Sequence, residues 1–525
     1  MLKLSSFSTA TRGAVCFALA LTCAAPAVHA DGNLQAVNHI IIVMQENHSF
    51  DNYLGVLPFV TGTPYHNAKG SGAKRACAAT DHTCVDGLNC KVDKKTGALK
   101  CSNANKDNDK STIKSFHDAK YCTGPDLDHT WNGTHREVNF KKPNSTLKSP
   151  KNDGFVLQND ASDQPDTNGE APADDDTMGY YDDTDLPFYY SLATTFAMND
   201  RYFCSVLGQT FPNRAYLAAA TSFGHLTTSE IIPPDLTTGY KPITGTIYDL
   251  LNQNNISWGD YYSDLPFSAI FVGVENSHQH PVSQFAIDAA AGTLPAVVFI
   301  DASVAHDQLI NGILFETDEH PPNDIRAGQY FVSTIVAALR NGPNWKDSIL
   351  LFTYDEHGGF YDHTLPPAAP QGGGLTPDGI APGQCADLSN PPASQQPGGG
   401  ANCTFSSTDE APALCNGKDG TFTPTGPYPV KCANFNQLGV RVPFIAVSPF
   451  AKHQYVSHTI GDHTSILALI EKRFLPSGAH LTARDQNAST LEDMFDFDHS
   501  PSFDATIPAA PLPAASDPGC PFASR

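Results

Sequence analysis

Two uninterrupted apolar runs stand out along the chain. Asn38-His39-Ile40-Ile41-Ile42-Val43-Met44 lies near the start and Ile349-Leu350-Leu351-Phe352 lies far downstream. Neither shows the alternation of a half-exposed strand. Short apolar runs rich in branched residues predict strands buried on both faces, as in the parallel sheet of an α/β protein. Each run breaks abruptly into polar side chains. The first passes into Gln45-Glu46-Asn47-His48-Ser49-Phe50-Asp51-Asn52-Tyr53. The second passes into Tyr354-Asp355-Glu356-His357-Gly358-Gly359-Phe360-Tyr361-Asp362-His363, where the Gly-Gly pair allows a sharp turn. In open α/β sheets, functional groups gather beyond the carboxyl ends of the strands.

The chemistry at the two strand ends is the same. Each delivers an adjacent pair of oxygen ligands, Glu46-Asn47 and Asp355-Glu356. Three carboxylates and one amide form a cage for a divalent cation, short of the roughly six oxygens such an ion prefers. A third segment, Leu207-Gly208-Gln209-Thr210-Phe211-Pro212-Asn213-Arg214, offers the missing group. Gly208 permits a tight backbone, and Pro212 suits the first turn of a helix running through Arg214-Ala215-Tyr216-Leu217-Ala218-Ala219-Ala220. Read alone, Thr210 is an ordinary helix cap. Beside two ligand pairs, its hydroxyl at a helix N-terminus becomes a candidate nucleophile facing an anionic substrate.

Five ordered motifs, ENHSFDNYLG, GQTFPNRAYL, TDEHPPNDIRAGQ, TYDEHGGFYDH and VRVPFIAVSPF, resemble those of the bacterial phosphoesterase family. That family contains the haemolytic and non-haemolytic phospholipases C and the AcpA-type acid phosphatases. The resemblance runs from about Asn38 to about Phe474. It implies an alkaline-phosphatase-like, three-layer α/β/α fold around a mainly parallel mixed sheet. It also implies that Glu46, Asn47, Asp355 and Glu356 bind one divalent metal ion. Thr210 would be both nucleophile and fifth ligand. The family's usual Gly-Pro-Thr is Gly-Gln-Thr here, which leaves the hydroxyl in place. Acid phosphatase members can carry Ser there and phospholipases C carry Thr, so Thr210 leans toward phospholipase C.

Histidines complete the expected site. The resemblance implies that His320, in Thr317-Asp318-Glu319-His320-Pro321-Pro322, faces the phosphoryl group. His129, in Asp128-His129-Thr130-Trp131-Asn132, is its expected companion, with His135 a secondary candidate. His278 and His280 precede Leu294-Pro295-Ala296-Val297-Val298-Phe299-Ile300 much as a family histidine pair precedes its Leu-Pro strand, and either one of the two could face the site. His357 and His363 are secondary, His363 as a brace for the turn.

Composition adds location. Lys3 and Arg12, an apolar Val15–Ala25 stretch and Val28-His29-Ala30 read as a secretory leader, residues 1–30, cleaved after Ala30. No later apolar run approaches the roughly 18 residues of a membrane span. The formal net charge of −23 disfavours nucleic acid as a partner. The expected partner is a phosphate ester, which for a phospholipase C means a phospholipid at a membrane surface. Residues 31–525 read as one catalytic domain, because the motifs span nearly all of it. Two loop-rich insertions, about 61–151 and 366–437, and an irregular tail, about 475–525, interrupt or follow it. Three functions fit: a secreted phospholipase C, a broad-specificity acid phosphatase, and a non-catalytic cation-stabilised surface module.

Of 13 cysteines, Cys16 and Cys23 fall in the leader, and the odd remainder leaves at least one thiol outside an internal pair. Most of the others cluster at Cys77, Cys84, Cys90, Cys101 and Cys122 and at Cys385, Cys403, Cys415 and Cys432. In an exported chain such clusters read as disulfides within the insertions. Mass spectrometry of non-reduced digests should find cross-links mostly inside each cluster; free thiols throughout both would contradict this.

Overall fold

A computed structural model of the protein describes residues 33–70, 75–122, 126–162, 174–226, 228, 240–242, 244–304, 308–310, 313–370, 378, 435–499, 507–508 and 510. Both apolar runs are strands of one eight-stranded sheet. Its strands are β1 (His39–Gln45), β2 (Ala197–Asn199), β3 (Trp258–Tyr262), β4 (Gln279–Pro281), β5 (Val297–Asp301), β6 (Ser348–Tyr354), β7 (Phe444–Val447) and β8 (Tyr455–Ser457). They lie in the order β4-β3-β5-β1-β6-β7-β2-β8. β7 runs antiparallel to both neighbours, β6 and β2, and every other pairing is parallel.

The helices among the described residues are α1 (Phe50–Leu54), α2 (Trp131–Val138), α3 (Phe155–Ser162), α4 (Pro187–Thr195), α5 (Thr210–Ala219), α6 (Ile247–Gln253), α7 (Val282–Ala291), α8 (Ile325–Asn341), α9 (His463–Phe474) and α10 (Ala483–Gln486). They cover both faces of the sheet. Successive strand residues point to opposite faces, and paired residues share one. Ile42 and Met44 of β1 line a small buried space together with Arg214 and Leu217 of α5 and Tyr248 of α6. Val43 pairs with Phe352, and Phe352 stacks on Tyr189 of α4 with ring centroids 4.7 Å apart. β1 and β6 are therefore sandwiched, which is why their sequences carry no polar alternation. Every residue of β6 is buried, and every residue of β1 after His39. Truncating one such Ile or Leu to Ala costs roughly 2–5 kcal/mol.

The first insertion departs from the loop expected of it. It carries short antiparallel ladders, Cys90–Val92 against Leu99–Cys101 and Ala104–Lys106 against Thr112–Lys114, followed by α2. Cys77 pairs with Cys84 and Cys90 with Cys101, Cys122 is disulfide-bonded as well, and Cys204 is a buried free thiol. The cysteines at 385–432 and most of the second insertion lie outside the described residues. Within the described part of the tail, α10 forms, and Leu491, Met494 and Phe495 are buried.

One buried cation joins the strand-end loops to this insertion. Arg441 donates to Asp51 and Asp362, both at 3.0 Å, and to the carbonyls of Asp86 and Asp200, both at 2.8 Å. His363 completes the network, with Nδ1 at 2.6 Å from Asp51 and Nε2 at 3.3 Å from Asp86. Burial opposes a charged imidazole there, but the Asp51 and Asp86 carboxylates outweigh it and raise the His363 pKa to about 9. The folded state thus binds this proton more tightly than the unfolded chain. The stabilisation is complete below pH 6.5, the unfolded value, and is lost as pH rises through about 9. Urea midpoints should fall over that window in the wild type and fall less in His363→Gln. Equal slopes would show that His363 does not carry the proton.

Candidate active site

The parallel register of β1 and β6 sets Gln45 beside Tyr354, so the residues beyond them emerge side by side. Asp355 N–H donates to the Gln45 carbonyl at 3.0 Å, and Glu46 N–H to the Asp318 carbonyl at 2.9 Å. Asn47 turns through the left-handed region (φ 64°), unusual for a residue with a side chain. Gly358 has φ 62°, and a Cβ there would collide with the Asn47 carbonyl, so the expected sharp turn requires glycine. Its N–H donates to Glu356 Oε2 at 2.7 Å.

α5 reaches this point through an arginine. Arg214 Nε donates to Asp355 Oδ2 at 3.2 Å, and an Nη lies 3.2 Å from Glu46 Oε1. Asp301, at the end of β5, lies 3.8 Å from the same guanidinium. Thr210 sits one turn before Arg214, and residues four apart share a helix face. It is the first helical residue and does not cap the helix: Gln209 holds the cap position. Thr210 is 8% exposed, and its hydroxyl has no hydrogen-bond partner among the described residues. Gly208 adopts no left-handed turn, so the tight backbone expected of it is not needed.

The electrostatics favour a cation at the two strand ends. Burial and the neighbouring Glu46 push the Asp355 carboxyl well above the ordinary range, against the pull of Arg214. Burial acts on Glu356 in the same way, but His129 and His357 outweigh it and hold its pKa down. Glu356 Oε1, Asn47 Oδ1 and Asn47 Nδ2 are buried without a hydrogen-bond partner. Buried oxygens left bare in this way are costly, and a hard cation is the ligand that suits them. The donor set therefore fits a divalent metal ion, and Arg214 contacts two of its members, Glu46 and Asp355.

Two of the expected histidines join the site. His129 Nδ1 donates to the Leu127 carbonyl at 2.7 Å and His320 Nδ1 to the Pro321 carbonyl at 2.6 Å. Their rings are 6.0 Å apart. His129 Nε2 lies 3.9 Å from Glu356 Oε1, and His320 Nε2 lies 3.8 Å from Asp126. Burial disfavours a charged His129, but Glu356 and Asp126 prevail and raise its pKa to about 10.

The other histidines stand elsewhere. His278 and His280 do not reach the strand ends. His280 lies on β4, the sheet edge, three strands from β1, which is roughly 14 Å at the usual strand spacing. Its ring packs on Tyr261, while His278 stacks on Trp258 at 4.1 Å and donates to the Trp258 carbonyl. The Leu-Pro strand they precede is β5, and the pair belongs to the edge beyond it. His135 donates to the Trp131 carbonyl of its own helix, and burial lowers its pKa to about 4. His357 bridges Glu356, at 3.3 Å, and buried Glu137, at 2.7 Å, supporting the ligand behind it.

Four residues at the site have no role legible in the sequence: Arg214, Asp126, Asp301 and Glu319. Arg214 lies inside the GQTFPNRAYL motif, which was the available signal. Glu319 is fully buried and left-handed (φ 73°), accepting from Tyr53 at 2.6 Å, Tyr354 at 2.7 Å and Tyr189. It thereby fixes the backbone that presents His320.

Residues 37–475 match the model of the Phosphoesterase family. Non-specific phospholipase C1 of Arabidopsis thaliana is 30% identical over 89% of this chain and 72% of its own length. Phospholipase C B of Mycobacterium tuberculosis is 28% identical over 90% of this chain and 80% of its own. Among solved structures, a protein in the alkaline phosphatase superfamily from Vibrio parahaemolyticus overlays 59% of this chain and 65% of its own. Its TM-score is 0.30 and its identity 11%. Human ectonucleotide pyrophosphatase/phosphodiesterase 5 overlays 59% and 94%, with a TM-score of 0.30 and 10% identity. Overlays this loose carry no argument about the site.

If these side chains hold a metal ion, Asp355→Asn replaces an anionic ligand with a neutral one. Elemental analysis should show that this variant and Glu46→Gln have lost the bound metal, with turnover nearly abolished. Full metal occupancy with wild-type activity would remove the residue from the site.

Proposed function

This chain belongs to the phosphoesterase family and is a phosphoric ester hydrolase, and from that premise we propose that it is a secreted, metal-dependent phospholipase C. The reaction would pass through a phosphothreonine at Thr210 and release a phosphorylated headgroup. The observation that carries the reading is Arg214. One turn after Thr210, it touches both Glu46 and Asp355, so three motifs distant in sequence meet at one point. The names of the two relatives above, both phospholipases C, support the diester substrate. We further propose one catalytic domain over residues 31–525 behind a secretory leader at 1–30. No helix among the described residues is long and apolar enough to cross a membrane.

The chemistry comes from the side chains themselves. A divalent ion held by Glu46, Asn47, Asp355, Glu356 and Thr210 would supply Lewis-acid polarisation of the phosphoryl group and a lower hydroxyl pKa. Thr210 Oγ1, its proton lost to solvent, forms the new bond to phosphorus as the bond to the lipid oxygen breaks. The leaving oxygen needs a proton, and His320 or His129 would give it from Nε2, since each Nδ1–H is committed to a carbonyl. Water then cleaves the phosphothreonine and restores the hydroxyl.

Thr210→Ala should cost several powers of ten in turnover, roughly 4 kcal/mol or more. Folding should be little affected, because the hydroxyl caps nothing. Thr210→Ser should retain measurable activity. Acid quenching with labelled substrate should trap phosphate on the Thr210 peptide. A folded, metal-bound Ala variant within tenfold of wild type would mean that water attacks directly. Faster turnover of p-nitrophenylphosphorylcholine than of p-nitrophenyl phosphate is expected; the reverse would make the enzyme an acid phosphatase, and neither an inert module.

A further inference from the structure

A second cluster of metal-competent side chains lies away from the strand ends, where the tail folds back on α9. Glu471 is in the last turn of α9, His480 is in the segment after it, and Asp485 is in α10. One ligand atom from each lies within 4.8 Å of the other two. Glu471 is 5% exposed and Asp485 1%, whereas His480 is exposed and leaves the cluster open to solvent on its side.

The hydrogen bonding is incomplete. Asp485 accepts from the Leu481 and Thr482 N–H groups, at 2.7 and 2.8 Å, and so caps the start of α10. His480 Nδ1 lies 3.2 Å from Glu471 Oε2. Glu471 Oε1 is buried and has no partner. Two carboxylates facing each other out of water repel, and an unpaired buried oxygen adds to the cost. Either a proton or a metal ion must sit between them.

A shared proton would leave the imidazole directed at the same point without a use. We propose that Glu471, His480 and Asp485 bind a divalent cation, with water completing the coordination on the exposed side. One imidazole with two carboxylates suits a borderline ion such as Zn²⁺ better than Ca²⁺, which prefers oxygen ligands throughout. The role is structural. The ion ties the segment after the family-matched region, which ends at residue 475, to α9. His463, at the other end of α9, donates from Nε2 to the Asp355 carbonyl at 2.7 Å, so the staple steadies the helix that braces a catalytic ligand.

The test compares the full-length wild type with His480→Ala, whose exposed position keeps misfolding from confounding the result, and with Glu471→Gln as the buried counterpart. After chelation and reloading with Zn²⁺, elemental analysis should find one equivalent less zinc per chain in either variant than in the wild type. This difference does not depend on how many ions the strand-end site holds. Added Zn²⁺ should raise the melting temperature of Asp355→Asn, and should fail to raise it in Asp355→Asn/His480→Ala. Equal zinc content in wild type and His480→Ala, or an equal thermal response in the two Asp355→Asn proteins, would overturn the proposal and leave a shared proton as the occupant.

Discussion

The parallel pairing of β1 with β6, from His39 against Ser348 to Gln45 against Tyr354, is the constraint on which the rest depends. A slip of one residue would turn every side chain of a strand to the opposite face. Both faces are covered, by α5 and α6 on one side and α4 on the other, and the packing of Ile42, Val43 and Phe352 against them fixes the register. With the register fixed, Glu46 and Asp355 must emerge together. The left-handed Asn47 and Gly358 then fold the two segments over each other. Hydrophobic packing therefore sets the geometry, and the geometry concentrates negative charge where the packing ends.

That charge is balanced on two sides. Arg214 faces Glu46 and Asp355, and His129 faces Glu356. Behind them, Glu137 and His357 support Glu356. The tyrosines around Glu319 fix the backbone of His320. Arg441 and His363 lock the two strand-end loops to the first insertion, which delivers Asp126 and His129. The insertion thus belongs to the site, although its own strands are only two or three residues long.

Much of this was legible in the sequence where one physical demand controlled the residues. Strands buried on both faces need apolar side chains throughout, so β1 and β6 announced themselves, and the polar residues after them marked the strand ends. The Gly358-Gly359 turn was legible because only glycine fits there. Legibility failed where partners are set by tertiary contact. The ladders at Cys90–Val92 and Leu99–Cys101 are too short and too polar to show a period, and a disulfide helps to join them. Arg214 gave no sign of facing inward, because a charged helical residue reads as solvated until its partners are known. His278 and His280 were placed by the Leu-Pro strand downstream of them, but they lie at the sheet edge, where the rings find Trp258 and Tyr261. Asp126 precedes His129 in an irregular segment with no pattern to mark it.

The central claim is that two strand ends, joined by register, hold one divalent cation between Glu46, Asn47, Asp355 and Glu356. Anomalous diffraction from crystals soaked in Mn²⁺, recorded above and below its absorption edge, tests it most directly. The account predicts a peak about 2.0–2.6 Å from carboxylate oxygens of Glu46, Asp355 and Glu356 and from Asn47 Oδ1, with the Arg214 guanidinium on their outer side. A map with no peak among these four residues, in crystals where Mn²⁺ binds elsewhere on the protein, would contradict it.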